Sequence, residues 1–227
     1  MFKTIQPHEF SKNKSLMTAM FKLRKKVFID DLQWSIDSID GCEIDHYDDL
    51  DCAYLVWCSD DQQRLYGSLR LMPTDGPTLL FDIFHATHGN DQDLVDHAIF
   101  EGTRMCIDED AILEDFPALD AARGMSLLLL ALAETAFAHG IKRLVSNFEA
   151  PLSRIYRRAG LSYDLHGHAD GYGRKPVYCA SFVVNQTVID KMRDKIGVDL
   201  PLLEKASDFR SMVKPAPVTT AAELVRA

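Results

Sequence analysis

The stretch from Leu23 to Asp51, LRKKVFIDDLQWSIDSIDGCEIDHYDDLD, sets cations and aromatic rings directly before a run of carboxylates. Arg24, Phe28 and Trp34 lie in its first half, Asp45 and Asp48 in its second. Guanidinium groups grip carboxylates through a planar fork, and aromatic faces attract cations. Carboxylates hold the cationic end of a ligand. Together these residue types suit a small molecule charged at both ends. The plainer reading is a charged surface helix followed by a solvated loop.

These side chains need elements to hold them. SLMTAMFKLRKKVFIDDLQW reads as helix, with Met17, Met20, Phe21, Arg24 and Phe28 recurring at helical spacing. Residues 35–51 lack apolar periodicity and read as loop. CAYLVWC and LYGSLRLMP read as a strand hairpin ending at Pro73, followed by a strand over 99–107. DFPALDAARGMSLLLLALAETAFAHG is the strongest helix pattern, closed by Gly140. KRLVSNFE reads as strand, SRIYRRAG as a short helix, VYCASFVV as a last strand. The sum is α/β, a central mixed twisted sheet flanked by helices on both faces. This order resembles the three-layer N-acetyltransferase-like fold. Residues 1–185 are expected to form one domain, and 186–227 a C-terminal helix with a poorly ordered Pro/Ala/Thr tail.

Composition narrows the classes. The 227 residues are 47% hydrophobic, enough for a core. A net charge of −9 opposes nucleic acid unless a local patch overrides it. No unbroken run of about 18 apolar residues predicts a membrane span. The N-terminus lacks a secretory h-region. Five cysteines, never in a C-x-x-C pair, suggest reduced thiols in the cytoplasm. The histidine pairs His85/His88 and His166/His168 have no accompanying ligand cluster, so no metal is expected.

Four short motifs now combine: Leu23-Arg24 with Phe28 and Trp34; Glu43, Asp45 and Asp48; Gly67, Arg70, Leu71, Pro73 and Thr74; Glu101 and Arg104. In this order and spacing, from about Met20 to Gly160, they resemble the acyl-homoserine-lactone synthases, the autoinducer synthases of quorum sensing. The resemblance implies transfer of an acyl chain from acyl carrier protein, or from acyl-coenzyme A, to the amine of S-adenosylmethionine. The methionyl carboxylate then closes the lactone and methylthioadenosine leaves. S-adenosylmethionine is thus a substrate, and no bound cofactor is expected.

The implied S-adenosylmethionine contacts are Arg24, Phe28, Trp34, Asp45, Asp48 and Arg104. Glu101 is the expected base, with Arg104 beside it. On a regular strand these two point to opposite faces, and a bulge at Gly102 would bring both into one cleft. The resemblance places acyl and phosphopantetheine contacts at Arg70, Phe84, Met125, Ser146 and Phe148. If Phe148 lies near the acyl carbonyl, its apolar ring disfavours 3-oxo chains; if it faces the other way, it only packs. Plainer alternatives make Arg70 a solvent-facing strand residue, Trp34 core packing and Glu101 an ion-pair partner.

ALDAARGMSLLL retains only Arg123 and Gly124 of the pyrophosphate loop that coenzyme A acetyltransferases carry before their long helix, which favours a carrier-protein donor. Lys142, Arg143, Arg154, Arg157 and Arg158 are the expected docking surface for that acidic carrier. Two rivals stand: an acyl-coenzyme A-dependent N-acyltransferase acting on another amine, and a non-catalytic sensor of S-adenosylmethionine or acyl chains.

Overall fold

The computed structural model describes residues 1–89, 92–172 and 175–203. Residues 204–227, which include the Pro/Ala/Thr tail 214–227 expected to be poorly ordered, lie outside the described residues. Seven strands form one sheet: β1 (Phe2–Ile5), β2 (Ala53–Cys58), β3 (Leu65–Pro73), β4 (Ile99–Ile107), β5 (Arg143–Glu149), β6 (Asp164–Ala169) and β7 (Val177–Val183). Their order is β1-β2-β3-β4-β5-β7-β6, and only the β4–β5 pair is parallel. The helices are α1 (Lys14–Arg24), α2 (Leu79–Asp82), α3 (Glu109–Asp115), α4 (Ala121–Ala138), α5 (Leu152–Arg158) and α6 (Gln186–Ile196).

The mixed sheet with helices on both faces agrees with the α/β reading. β1, β6 and α3 are additions to it: β1 is four residues long, β6 (DLHGHA) is a polar edge strand, and α3 is a short helix capped by Asp108.

Two apolar layers sandwich the sheet. On one face α4, α5 and α6 bury Leu128, Leu130, Tyr156 and Met192 against Leu69, Leu71, Phe100 and Leu144. By length and composition α4 could cross a bilayer, contrary to the sequence expectation, yet most of it is buried in this core. α6 is tied to α4 by Arg193, which pairs at 2.7 Å with the buried Glu134. On the other face, Met17, Met20 and Phe21 of α1 pack on Tyr54, Val56 and Met72.

Two irregularities in the sheet open it near its centre. β4 and β5 pair from Ile99↔Arg143 to Glu101↔Val145 and then part. Beyond that point the Ser146 hydroxyl, not a backbone amide, donates to the Gly102 carbonyl at 3.0 Å. The β3–β4 register also slips between Ser68 and Arg70, so Arg104 and Met105 together oppose Leu69. Arg104 takes a left-handed backbone there, φ 53°. The bulge expected at Gly102 therefore sits at Arg104, while Gly102 stays in register with Leu71. An inserted residue reverses the side-chain alternation, so Arg104 joins Glu101 and Thr103 on the α1 face.

Edge strand β6 presses closely on the 3₁₀ turn His85–Thr87: a Cβ at Gly167 would stand 2.5 Å from the Thr87 carbonyl oxygen. Gly167→Ala must therefore shift backbone on one side, at a cost of about 1–3 kcal/mol. A lowered urea midpoint is expected; an unchanged midpoint would show that the two segments are not in contact in solution.

Candidate functional site

α1 does not continue as regular helix to Trp34. It passes into a π-helical turn over Lys25–Asp31, and Gln33 then adopts φ 56°. This wider turn folds Trp34 back onto Phe28, with its backbone N–H donating to the Phe28 carbonyl at 2.8 Å and the rings stacked at 4.8 Å. Turns of this kind recur at functional sites because they re-aim side chains. Trp34 is 38% exposed and so is not core.

Behind these rings lies a network of three arginines and three carboxylates. Arg24 donates from Nε to Glu43 at 2.5 Å and from both terminal nitrogens to Asp48 at 2.7 and 2.9 Å. Arg70 binds Asp45 at 2.5 Å, Asp48 at 2.7 Å and the Thr103 hydroxyl at 3.1 Å. Arg104 reaches Glu43 at 3.1 Å and Asp45 at 2.9 Å. The Tyr54 hydroxyl adds a bond to Asp48 at 2.6 Å. Burial opposes charge on Asp48, but Arg24 and Arg70 outweigh it and hold the carboxyl well below its usual range.

This geometry corrects several expectations. Arg24 and Asp48, expected among the S-adenosylmethionine contacts, are buried and bonded to each other, which clamps the loop. Arg70 belongs to the same network; it is buried and not solvent-facing, its guanidinium drawn to Asp45 and Asp48. Trp34 is left exposed over the buried Phe28, and Asp45 and Arg104 are partly exposed beside them. The Arg104 guanidinium lies 5.7 Å from the Phe28 ring centre and 5.9 Å from that of Trp34. Glu43, which bridges Arg24 and Arg104, belongs to one of the sequence motifs but was not expected among the site residues. Its place in the Glu43, Asp45, Asp48 run was the available signal.

Glu101 is completely buried on the same face. Among the described residues neither of its oxygens makes a hydrogen bond of full geometry, although the Leu80 N–H and the Asn147 amide lie beside it, and it forms no ion pair. Burial pushes its carboxyl up to about 7, with the Leu80 amide, Arg70, Asn147 and Arg104 pulling the other way. A buried carboxyl balanced near neutrality can exchange protons.

Across the parted strands lies an apolar cavity of about 50 Å³, lined by Leu69, Met105, Leu129 and Leu144 with Ser146 and Tyr156. Gly102 and Val145 also border it, so it reaches the sheet where Glu101 sits. Of the residues expected at an acyl site, Ser146 lines this cavity. Phe148 stands one ring behind, edge-on to Tyr156 at 5.0 Å, on the same face. Met125 packs against the same core without lining the cavity. Phe84 does not line this cavity; it is on the loop after α2, against Tyr172 at 5.0 Å. Tyr156 escapes a sequence reading, because its neighbours mark the segment only as a basic helix.

Arg154, Arg157 and Arg158 form one exposed ridge on α5, while Tyr156 of that helix faces inward. Lys142 is exposed before β5 and Arg143 is half-buried.

A sequence profile of the autoinducer synthase family matches residues 8–192. The acyl-homoserine-lactone synthase of Agrobacterium fabrum is 30% identical over 157 residues, covering 69% of this chain and 74% of its own. Among solved structures, the AHL synthase LasI superposes with a TM-score of 0.72 at 25% identity, covering 88% of this chain and 96% of its own. BjaI, a CoA-dependent acyl-homoserine lactone synthase solved with SAM and isopentyl-CoA, superposes at 0.78 with 22% identity, over 93% and 96% of the two chains.

Asp48→Asn would leave Arg24 and Arg70 short of one buried countercharge, a loss of about 3–5 kcal/mol. The urea midpoint of this variant should fall accordingly. Because the folded-state carboxyl is held low, its contribution is complete above pH about 4, the unfolded value. It is lost only as pH falls toward the lower folded value. A midpoint unchanged at pH 7 would show that the network does not fasten the loop.

Proposed function

The chain belongs to the autoinducer synthase family, and we propose that it acylates S-adenosylmethionine from a carrier-protein thioester and closes the product to an acyl-homoserine lactone. One observation carries the assignment of parts: the buried Glu101 stands between a cluster of aromatic and charged side chains and an apolar cavity. A two-ended substrate pair needs such a junction. S-adenosylmethionine would lie over Phe28 and Trp34, whose faces suit a sulfonium. Asp45 would hold its ammonium and Arg104 its carboxylate. The acyl chain would run between β4 and β5 into the cavity, past Ser146 and Tyr156.

In this reading Glu101 takes a proton from the α-ammonium, directly or through a water. The freed amine bonds to the thioester carbonyl carbon, the carbon–sulfur bond breaks and the carrier thiol leaves. The methionyl carboxylate oxygen then bonds to the sulfonium-bearing carbon, and methylthioadenosine departs with the bonding pair. Neither step needs a redox partner. Arg104, bound to Glu43 and Asp45, aims the carboxylate for ring closure.

Two features favour a carrier protein over coenzyme A. The first turn of α4 is capped by Asp120, whose carboxylate accepts from the Arg123 N–H at 2.7 Å. That puts negative charge where a pyrophosphate would need amide donors. The arginine ridge on α5 presents cations beside the cavity wall, as an acidic carrier requires. All five cysteines are buried thiols, in keeping with a cytoplasmic setting.

Glu101→Gln should keep the fold and lose at least about tenfold in acylation rate. A full-rate variant would move the base elsewhere. Charge reversal at Arg154 and Arg158 should raise KM for an acyl-carrier donor and leave KM for S-adenosylmethionine unchanged. The parent's carrier KM should also rise with salt. Carrier KM indifferent to both changes would take the docking surface off this ridge.

A further inference from the structure

Asn147 is the polar residue of β5 two places beyond Val145, the partner of Glu101. Its Nδ2 is buried and, among the described residues, makes no hydrogen bond of full geometry, the same condition as both oxygens of Glu101. Its Oδ1 is anchored by the Thr87 hydroxyl at 2.8 Å. That hydroxyl has one proton and also lies 2.7 Å from the Phe84 carbonyl. The carbonyl already accepts the Thr87 backbone N–H at 2.8 Å. With the hydroxyl donating to Oδ1, the amide presents Nδ2 to Glu101. A flipped amide would set an oxygen against a carboxylate. Thr87 is itself buried, and its carbonyl is wedged against Gly167 of β6. The anchor is rigid.

We propose that Asn147 is a positioning residue for the acyl transfer: held by Thr87, its side-chain amide orients the Glu101 carboxylate and favours its ionised form. The inference rests on Glu101 being the base. Two observations support it: the meeting of a buried side-chain donor that has no other partner with a buried carboxyl whose other neighbouring donor is the Leu80 N–H, and a dedicated anchor behind the donor. The other charged or titratable groups acting on Glu101 are Arg70 from β3, Arg104 from β4 and Tyr47 from the 3₁₀ turn His46–Asp49. The two arginines are committed to Asp45, Asp48 and Glu43, and Tyr47 donates to Asp82 at 3.1 Å. That leaves Asn147 as the side-chain donor with nothing else to bind.

The sign comes from the chemistry. A donor to a carboxylate lowers its pKa, so losing it leaves more Glu101 protonated at neutral pH. Asn147→Leu, of similar shape, should move the acid limb of kcat up by about one pH unit. The rate should be depressed at pH 6–7 and recovered near pH 9, with KM for S-adenosylmethionine unchanged. Thr87→Val should shift the limb the same way by less. Independently of turnover, the Glu101 carboxyl resonance in ¹³C-glutamate-labelled protein, assigned by its loss in Glu101→Gln, should titrate higher in Asn147→Leu. Loss of rate by the same factor at every pH, or a resonance that titrates unchanged, would overturn the role of Asn147. Glu101→Gln retaining the parent's rate and acid limb would instead sink the base assignment. The resonance would still decide whether Asn147 tunes this carboxyl.

Discussion

Six interlocked charges, four of them buried, organise this molecule. Arg24, Arg70 and Arg104 come from a helix and two strands, whereas Glu43, Asp45 and Asp48 all come from one loop. Burying any one of these groups alone would be prohibitive; matched three against three, with nearly every donor in use, they compensate one another. The loop has little apolar periodicity of its own, and the network fastens it to the sheet. The same bonds bury Arg24, Asp48 and Arg70 and leave Asp45 and Arg104 at the edge of the cluster. The π-helical turn then lays Phe28 and Trp34 over Arg104, so one cation sits under two aromatic rings.

The second constraint is the parting of β4 from β5. Parallel strands that stay paired would seal the sheet. Here pairing ends at Glu101 and Val145, and the bulge at Arg104 turns that residue to the polar face. The split lets a charged cluster on one face and an apolar cavity on the other share a boundary. Glu101 stands there without a hydrogen bond of full geometry among the described residues, which is why burial dominates its titration. Desolvation is useful only at that place: the same carboxyl among the arginines would remain ionised and occupied.

Much of the fold is legible in the sequence. Strand 99–107 is bounded correctly because its apolar ends stand out; α4 is correctly closed before Gly140 but begins at Ala121, six residues later than read. β6 is not legible, since an exposed edge strand with sequence DLHGHA carries no alternation. In the site, the order of charged and aromatic residues indicates which side chains converge. It does not distinguish clamp from contact: Arg24 and Arg104 look alike in sequence, and only burial separates them. Gly102 is the natural candidate for a bulge because glycine tolerates unusual backbone, yet Arg104 bears the positive φ, held there by Glu43 and Asp45. Asn147 draws no notice because one polar residue in a strand carries no pattern.

Amide formation and lactone closure, coupled by one chain across this junction, must leave their mark on product stoichiometry. Purified protein would be incubated with S-adenosylmethionine and an acyl-carrier thioester, and both products quantified by mass spectrometry. Acyl-homoserine lactone and methylthioadenosine in equal amounts, each matching the thiol released, is the predicted result. Thiol release with an open-chain acyl amide and no methylthioadenosine would contradict the account.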